Sequence, residues 1–399
     1  MTRSAESSPP RLRVLIITDE MEVGGTQRQI VHLARGLDRQ RFEATVLYFR
    51  ERSFLVDELE RDGIRTVHVP KRGRIDPAFV VRLRRAVAAL RPDVVHCFAF
   101  SGELWGTLAC ALPGRGPRPA LVSSIRGTYE WYRPWQWRIK SWVSARSAHV
   151  VSNSRQAGDF AARQMGLAPS AIDVVYNGAV LPALDDIAAA RVRMRAELGL
   201  APLQPMILFV GRLVDHKNIP LLLRAMQLLV ARVPGAQLMM AGDGPLRSET
   251  EQGIAALGLA NHVRLLGERN DAPALMAACD LLVLCSLREG LSNVILEAMM
   301  SRCAVVASRV GGNVELVDDG VTGLLFTSDD AAQLSAALQR LIDDPALRQR
   351  CAEQGRAKAV AQFGIDAMVR AYERLYQGAR RPALPAQPLQ PLQQTQKDS

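Results

Sequence analysis

Residues Ser286-Leu-Arg-Glu-Gly-Leu-Ser-Asn-Val-Ile-Leu-Glu-Ala-Met-Met300 decide the fold. They follow the apolar run Asp280-Leu-Leu-Val-Leu-Cys285, so the pattern is buried strand, tight loop, helix. Ser292, or Asn293 beside it, is a strong N-cap, and Gly290 frees the loop backbone. The N–H groups at that helix start point toward the carboxyl end of the strand, an anion-binding arrangement. Glu289 precedes the helix and Glu297 lies within it among Val, Ile, Leu, Ala and Met. A helix apolar all round is buried, and a carboxylate on it needs hydrogen-bond donors. A ribose or sugar diol supplies two. A solvated Glu289 and an arginine paired with Glu297 would satisfy the same residues.

Outward from this stretch, strand-like and helical runs alternate. In the second half, strands are expected at 206–210, 237–241, 263–266, 281–285, 304–307 and 323–326. Helices fall at 219–232, 245–257, 272–278, 313–317, 331–342 and 345–361. The first half repeats the pattern, with strands at 11–18, 44–48, 66–69, 94–98, 120–124, 149–152 and 173–176. Its helices follow Gly24-Gly25-Thr26 and fall at 53–62, 77–90, 103–112 and 154–165. Asn177-Gly178 ends that array, and a linker with a polar helix runs to about residue 204. The expected fold class is α/β, two doubly wound Rossmann-like domains over 11–180 and 181–361 facing a central cleft. The helix at 365–377 packs back on the first domain, and residues 1–10 and the Pro/Gln-rich 379–399 are expected to be disordered.

A chain of 399 residues exceeds one ordinary core, and 48% hydrophobic with 23% charged residues marks a globular protein. Six cysteines without a C-x-x-C pair read as reduced core residues of a cytosolic protein. The first apolar run, stopped by Asp19, is a strand and not a signal peptide, and no charge-free run is long enough to span a membrane. All of the +10 net charge lies in residues 1–200, where 30 Lys and Arg stand against 20 Asp and Glu. A basic half suits a phosphate-bearing substrate or a membrane surface; no motif supports nucleic acid.

Arg212, after Gly211, and Lys217 lie at a strand-to-helix connection, a forked and a compact cation suited to a diphosphate. Gly242-Asp-Gly244-Pro ends another strand with small residues, and a turn Arg264-Leu-Leu266-Gly267 could flank a flat base. Gly24-Gly25-Thr26 is not the G-x-G-x-x-G fingerprint, which removes the main support for an oxidoreductase.

Residues 210–326 resemble glycosyltransferase family 4, the group 1 glycosyltransferases of the two-Rossmann GT-B fold. VGRLVDHKN, MAGDGPL, VRLLG, SRVGGNVELVDDGVTGLLF and above all EGLSNVILEA, an E-x7-E signature at Glu289 and Glu297, carry the resemblance. GGTQRQIVHLARGL, VVHCF and VVYNGAV extend it through the first half. It implies retaining transfer of a sugar from a nucleoside-diphosphate donor, with no metal and no cofactor, and the absence of a D-x-D triplet agrees. By matching position, Arg212 and Lys217 would bind the diphosphate and Glu297 the ribose. Glu289 would contact the donor sugar, the N–H groups of Gly290, Leu291 and Ser292 would support the phosphates, and Gly24-Gly25 would lie on the acceptor side. Many family members carry a His where this chain has Arg126, and arginine cannot act as a base. Arg126 is left to hydrogen-bond the leaving phosphate or an acceptor, and His96 is a further acceptor-side candidate.

Tyr129 to Trp142 holds four of the five tryptophans among cations. Such a mixture suits a membrane headgroup region or a helix packed by its aromatics, and the first reading brings a lipid-linked acceptor to the inner face of a membrane. The expected partners are a nucleotide-sugar donor and a glycan or lipid-linked acceptor. A non-catalytic nucleotide-sugar-binding subunit and a sugar phosphorylase or epimerase of the same fold are the alternatives.

Overall fold

The computed structural model describes residues 11–379 except 23, 74–75 and 113–116. Of the tails expected to be disordered, Ala379 closes a helix and the rest lies outside the described residues. Thirteen strands, among the described residues, form two sheets. The first contains β1 (Leu12–Ile17), β2 (Phe42–Tyr48), β3 (Arg65–His68), β4 (Val94–Cys97), β5 (Ala120–Ile125), β6 (His149–Ser152) and β7 (Asp173–Val174), ordered β3-β2-β1-β4-β5-β6-β7. The second contains β8 (Met206–Val210), β9 (Gln237–Ala241), β10 (Val263–Gly267), β11 (Leu281–Leu284), β12 (Ala304–Ser308) and β13 (Leu324–Phe326), ordered β10-β9-β8-β11-β12-β13. Strand pairing is parallel throughout, and helices fill the connections as parallel crossovers require.

The sequence dictates this directly. Leu281-Leu-Val-Leu284 and Ala304-Val-Val-Ala-Ser308 are buried at every position, the unbroken apolar run of a strand covered on both faces. In each sheet the strand order reverses once, between β1 and β4 and between β8 and β11. The loops leaving the carboxyl ends of such a pair diverge to opposite faces and leave a crevice between them.

The chain divides into two compact units. One runs to Val175 and recovers the chain from Met368; the other is Tyr176–Ala367. The helix Ile365–Ala379 buries Tyr372 and Tyr376 in the first unit, with Tyr376 Oη 2.7 Å from His96 Nδ1, and Glu373 accepts the Asp38 N–H at 2.9 Å.

The aromatic segment is largely internal. Residues Pro134–Ser144 form a helix in which Trp137 and Lys140 are buried, and Tyr129 stacks on Tyr132 at 4.6 Å. Lys140 is therefore not one of the cations expected to meet a headgroup. Its ammonium donates to Glu103 at 2.6 and 2.7 Å and to the Ser124 carbonyl at 3.1 Å. The Ser124 N–H also donates to Glu103 at 3.0 Å. Both side chains are 2% exposed. Burial pushes the Glu103 carboxyl up, and Lys140 opposes the shift. Only Trp131 and Trp135 of this segment's tryptophans stand mostly in solvent, at 56% and 53% exposed.

A buried carboxylate without its ammonium is far costlier than an apolar pair of similar shape. Lys140→Ala should lower stability by about 3–5 kcal/mol, whereas Glu103→Leu with Lys140→Met should lose much less. Urea unfolding midpoints compare the two; a Lys140→Ala protein as stable as its parent would show that the pair contributes nothing.

Candidate active site

Because β8 and β11 are neighbours, the loops that leave them meet. After β8 the chain passes Gly211 and the exposed Arg212 into a one-turn helix, Asp215–Lys217. After β11 it forms the loop 285–292. The Leu287 N–H donates to the His216 carbonyl at 2.8 Å, and the Cys285 thiol donates to the Lys217 carbonyl at 3.0 Å. Between these backbone ties, Lys217 Nζ donates to Glu289 Oε1 at 2.6 Å, and Ser286 Oγ donates to the same oxygen at 2.6 Å. The two side chains are 15% and 13% exposed, sheltered yet reachable. Burial first, then Lys217, Arg288 and Arg212, hold His216 below the usual imidazole range, while Glu289 opposes them. The structure thus brings Lys217, Glu289 and Arg212 together and adds Arg288 and His216.

The helix Asn293–Met300 starts where expected, with Ser292 Oγ accepting from the Ile295 N–H at 3.4 Å. Asn177 Nδ2 holds this start, donating to Asn293 Oδ1 at 2.6 Å and to the Leu291 carbonyl at 3.4 Å. The loop is braced from the next strand connection as well. The Gly312 N–H donates to the Gly290 carbonyl at 2.7 Å, and Ser308 Oγ donates to the Ser286 carbonyl at 2.6 Å. A Cβ on Gly311, whose φ is +50°, would overlap the Glu289 carbonyl oxygen.

Two expectations are corrected here. Glu297 is not submerged: with Asn293 and Val294 it forms the half-buried stripe of the helix, while Ile295, Leu296 and residues 298–300 face the core. Residues Arg264 to Gly267 are not a turn. They end β10, an edge strand; Leu266 there is half-buried, and Arg264 is committed to the Leu198 carbonyl at 2.6 Å. The close backbone approach expected at Gly242 and Gly244 is found, since a Cβ on either would strike the backbone of Gly211 or Leu213.

In the first unit, Gly24, Gly25 and Thr26 open the helix Gly25–Gly36 after β1. Arg126 follows β5 and is half-buried, its guanidinium 5.5 Å over the Phe98 ring. His96 leaves the acceptor-side set. It is fully buried on β4, with Nδ1 2.7 Å from Tyr376 Oη and Nε2 2.8 Å from Ser124 Oγ, and burial drives its pKa well down.

Two family descriptions divide the chain, "Glycosyl transferases group 1" over residues 191–358 and "Glycosyltransferase Family 4" over residues 23–181. The chain belongs to the group 1, family 4 glycosyltransferases. The alpha-maltose-1-phosphate synthase of Mycobacterium tuberculosis is 31% identical over 303 residues, 70% of this chain and 77% of that protein. The lipopolysaccharide core biosynthesis glycosyltransferase LpsE of Rhizobium meliloti is 26% identical over 88% of this chain and 95% of its own. HepE of Anabaena, solved with UDP-glucose, superposes with a TM-score of 0.81 at 24% identity, covering 92% of this chain and all of HepE. That likeness shows the fold, and the two parallel-sheet units of this glycosyltransferase are of the GT-B class.

Sequence reasoning misses the groups that brace these loops. In the sequence Asn177 marks only the end of an array, and Ser286 and Gly311 are loop residues like any others. Gly311→Ala should displace the Glu289 carbonyl and destabilise the second unit, since an L-residue at this φ costs about 1–2 kcal/mol before the overlap is counted. Thermal unfolding measures it; an unchanged midpoint would mean that the loop yields freely.

Proposed function

We propose that this glycosyltransferase moves a sugar from a nucleoside-diphosphate donor to a glycan or lipid-linked acceptor in cell-surface polysaccharide synthesis, with retained configuration and without a metal ion. The observation that carries the reading is the Lys217–Glu289 contact beside the braced start of the helix Asn293–Met300, with Arg212 on the same loop as Lys217. Transfer breaks the bond between the sugar carbon and the phosphate oxygen and forms one to the acceptor oxygen. Negative charge grows on the diphosphate as the sugar becomes cationic, and Lys217, Arg212 and the helix N–H groups stabilise it. Glu289 fixes Lys217 and offers its other oxygen to the donor sugar, while Glu297 reads the ribose hydroxyls. Arginine cannot act as a base, so Arg126 leaves the acceptor proton to pass to the leaving phosphate oxygen on the same face. UDP-glucose bound to HepE and the lipopolysaccharide role in the name of LpsE support the donor and acceptor classes.

Lys217→Ala should lower turnover on the cognate UDP-, GDP- or ADP-sugar by roughly 10²–10³-fold, the usual effect of removing one charge-stabilising donor. The parent enzyme should work undiminished in EDTA. Normal turnover by a folded Lys217→Ala protein removes the assignment.

No helix among the described residues is long and apolar enough to cross a membrane. The exposed Trp131 and Trp135, in the half that carries the positive excess, support peripheral contact with the inner leaflet. Replacing both by Ala should reduce co-sedimentation with anionic liposomes; equal recovery of parent and variant would eliminate the contact.

A further inference from the structure

A column of buried polar side chains ends on Glu289. Ser286, two residues past β11, donates from Oγ to Glu289 Oε1 at 2.6 Å. Ser308, the last residue of β12, donates from Oγ to the Ser286 carbonyl at 2.6 Å. Asn313, which opens the short helix Asn313–Leu316, donates from Nδ2 to the Ser308 carbonyl at 3.1 Å. All three are 0% exposed. The column thus crosses from the connection after β12 to the loop after β11, two strands that pair in parallel with Leu284 opposite Ala307. It stops at the oxygen that also accepts from Lys217 Nζ at 2.6 Å.

Stability gives little reason for such a column. A neutral buried hydrogen bond contributes only about 1 kcal/mol net, and a small apolar side chain would fill the same space. What the column adds is orientation. The terminal torsion of a glutamate is broad and roughly two-fold, so a single contact leaves its carboxylate free to turn. Lysine arrives on a flexible four-carbon stem as a compact charge, and such a partner sets no plane for the carboxylate. A second donor at the same oxygen does, when its own backbone is fixed from behind, as Ser308 fixes that of Ser286. With Oε1 taken twice, Oε2 stands outside both bonds.

We propose that Ser286, held by Ser308 and Asn313, is a positioning residue of the transfer reaction that sets the Glu289 carboxylate so that Oε2 meets the donor sugar. Glu289 touches the sugar, and Ser286 acts only through it. The inference rests on the donor reading proposed above and adds which groups aim the carboxylate. It divides the labour within one loop: Lys217 and the helix N–H groups hold the diphosphate, and the column aims Glu289 at the sugar. Loss of Ser286 therefore spares diphosphate binding and spoils the chemistry, since a misplacement of about 1 Å can cost roughly 10²-fold in rate.

Turnover is read as nucleoside-diphosphate release from whichever of UDP-glucose, GDP-mannose and ADP-glucose the parent enzyme uses, and affinity by calorimetric titration with the matching UDP, GDP or ADP. Ser286→Ala should lower kcat by about 10–100-fold, the loss of one hydrogen bond to a charged group. The donor KM and the nucleoside-diphosphate affinity should stay within about twofold of the parent, as when an interaction made only in the transition state is removed. Ser308→Ala should lower kcat by about 3–10-fold and add nothing on top of Ser286→Ala, because a support is idle once its load is gone. Should Ser286→Ala not fold, the split between kcat and affinity in Ser308→Ala carries the same test. A merely structural column would lower the unfolding midpoint and leave the kcat of the folded protein alone. Unchanged kcat in the folded variants, a diphosphate affinity that falls with kcat, or effects of the two substitutions that multiply would each overturn the proposal. Failure of the donor reading shows separately, as normal turnover by Lys217→Ala.

Discussion

A single hydrogen-bonded ion pair, 2.6 Å between Lys217 Nζ and Glu289 Oε1, ties two loops 72 residues apart in the chain. It is available only because β8 and β11, which those loops leave, are hydrogen-bonded neighbours in the sheet. A free lysine side chain loses about 1.5–2 kcal/mol of rotamer freedom when it is fixed. Here the carboxylate, itself held by Ser286, imposes most of that loss in advance. An anion arriving at the ammonium then meets a group already oriented, and preorganised charge is what gives electrostatic catalysis its magnitude.

A comparison within the chain shows why exposure matters. Each unit holds a lysine bridged to a glutamate at 2.6 Å, Lys140 with Glu103 and Lys217 with Glu289. The first is enclosed on all sides, 2% exposed, with Ser124 hydrogen-bonding both partners, so its charges are spent on the fold. The second keeps 15% and 13% of its side-chain surface and leaves Glu289 one oxygen outside the hydrogen bonds from Lys217 and Ser286. The same chemistry is closed to any ligand in the first case and open to one in the second.

The parts legible in the sequence are those governed by local periodicity and capping. The strand 281–284 and the helix that begins after Ser292 are readable because their apolar run and N-cap are local properties. Arg212, Lys217 and Glu289 are readable as a set because each sits just past a strand end, and parallel sheets gather strand ends on one side. What escapes is set by partners distant in sequence. Nothing near Lys140 announces Glu103, 37 residues away, so a buried ion pair looks like part of a basic aromatic surface. Glu297 looks submerged because its neighbours are apolar. Helical geometry, which places 293, 294 and 297 on one stripe, turns it outward.

The net charge is divided unevenly along the chain. Residues 201–399 are neutral overall, and their loop cluster sets Arg212, Lys217 and Arg288 against Glu289. The whole surplus of ten lies in residues 1–200, and a diphosphate held by the second unit does not require it. Exposed charges act over about 8 Å in physiological salt, so a surplus in one unit works on what that unit itself approaches. Arg50 and Lys71 stand at a cavity of that unit, lined also by Asp19 and Phe49. A neutral molecule would gain nothing from such a field, whereas an anionic one would be drawn toward it.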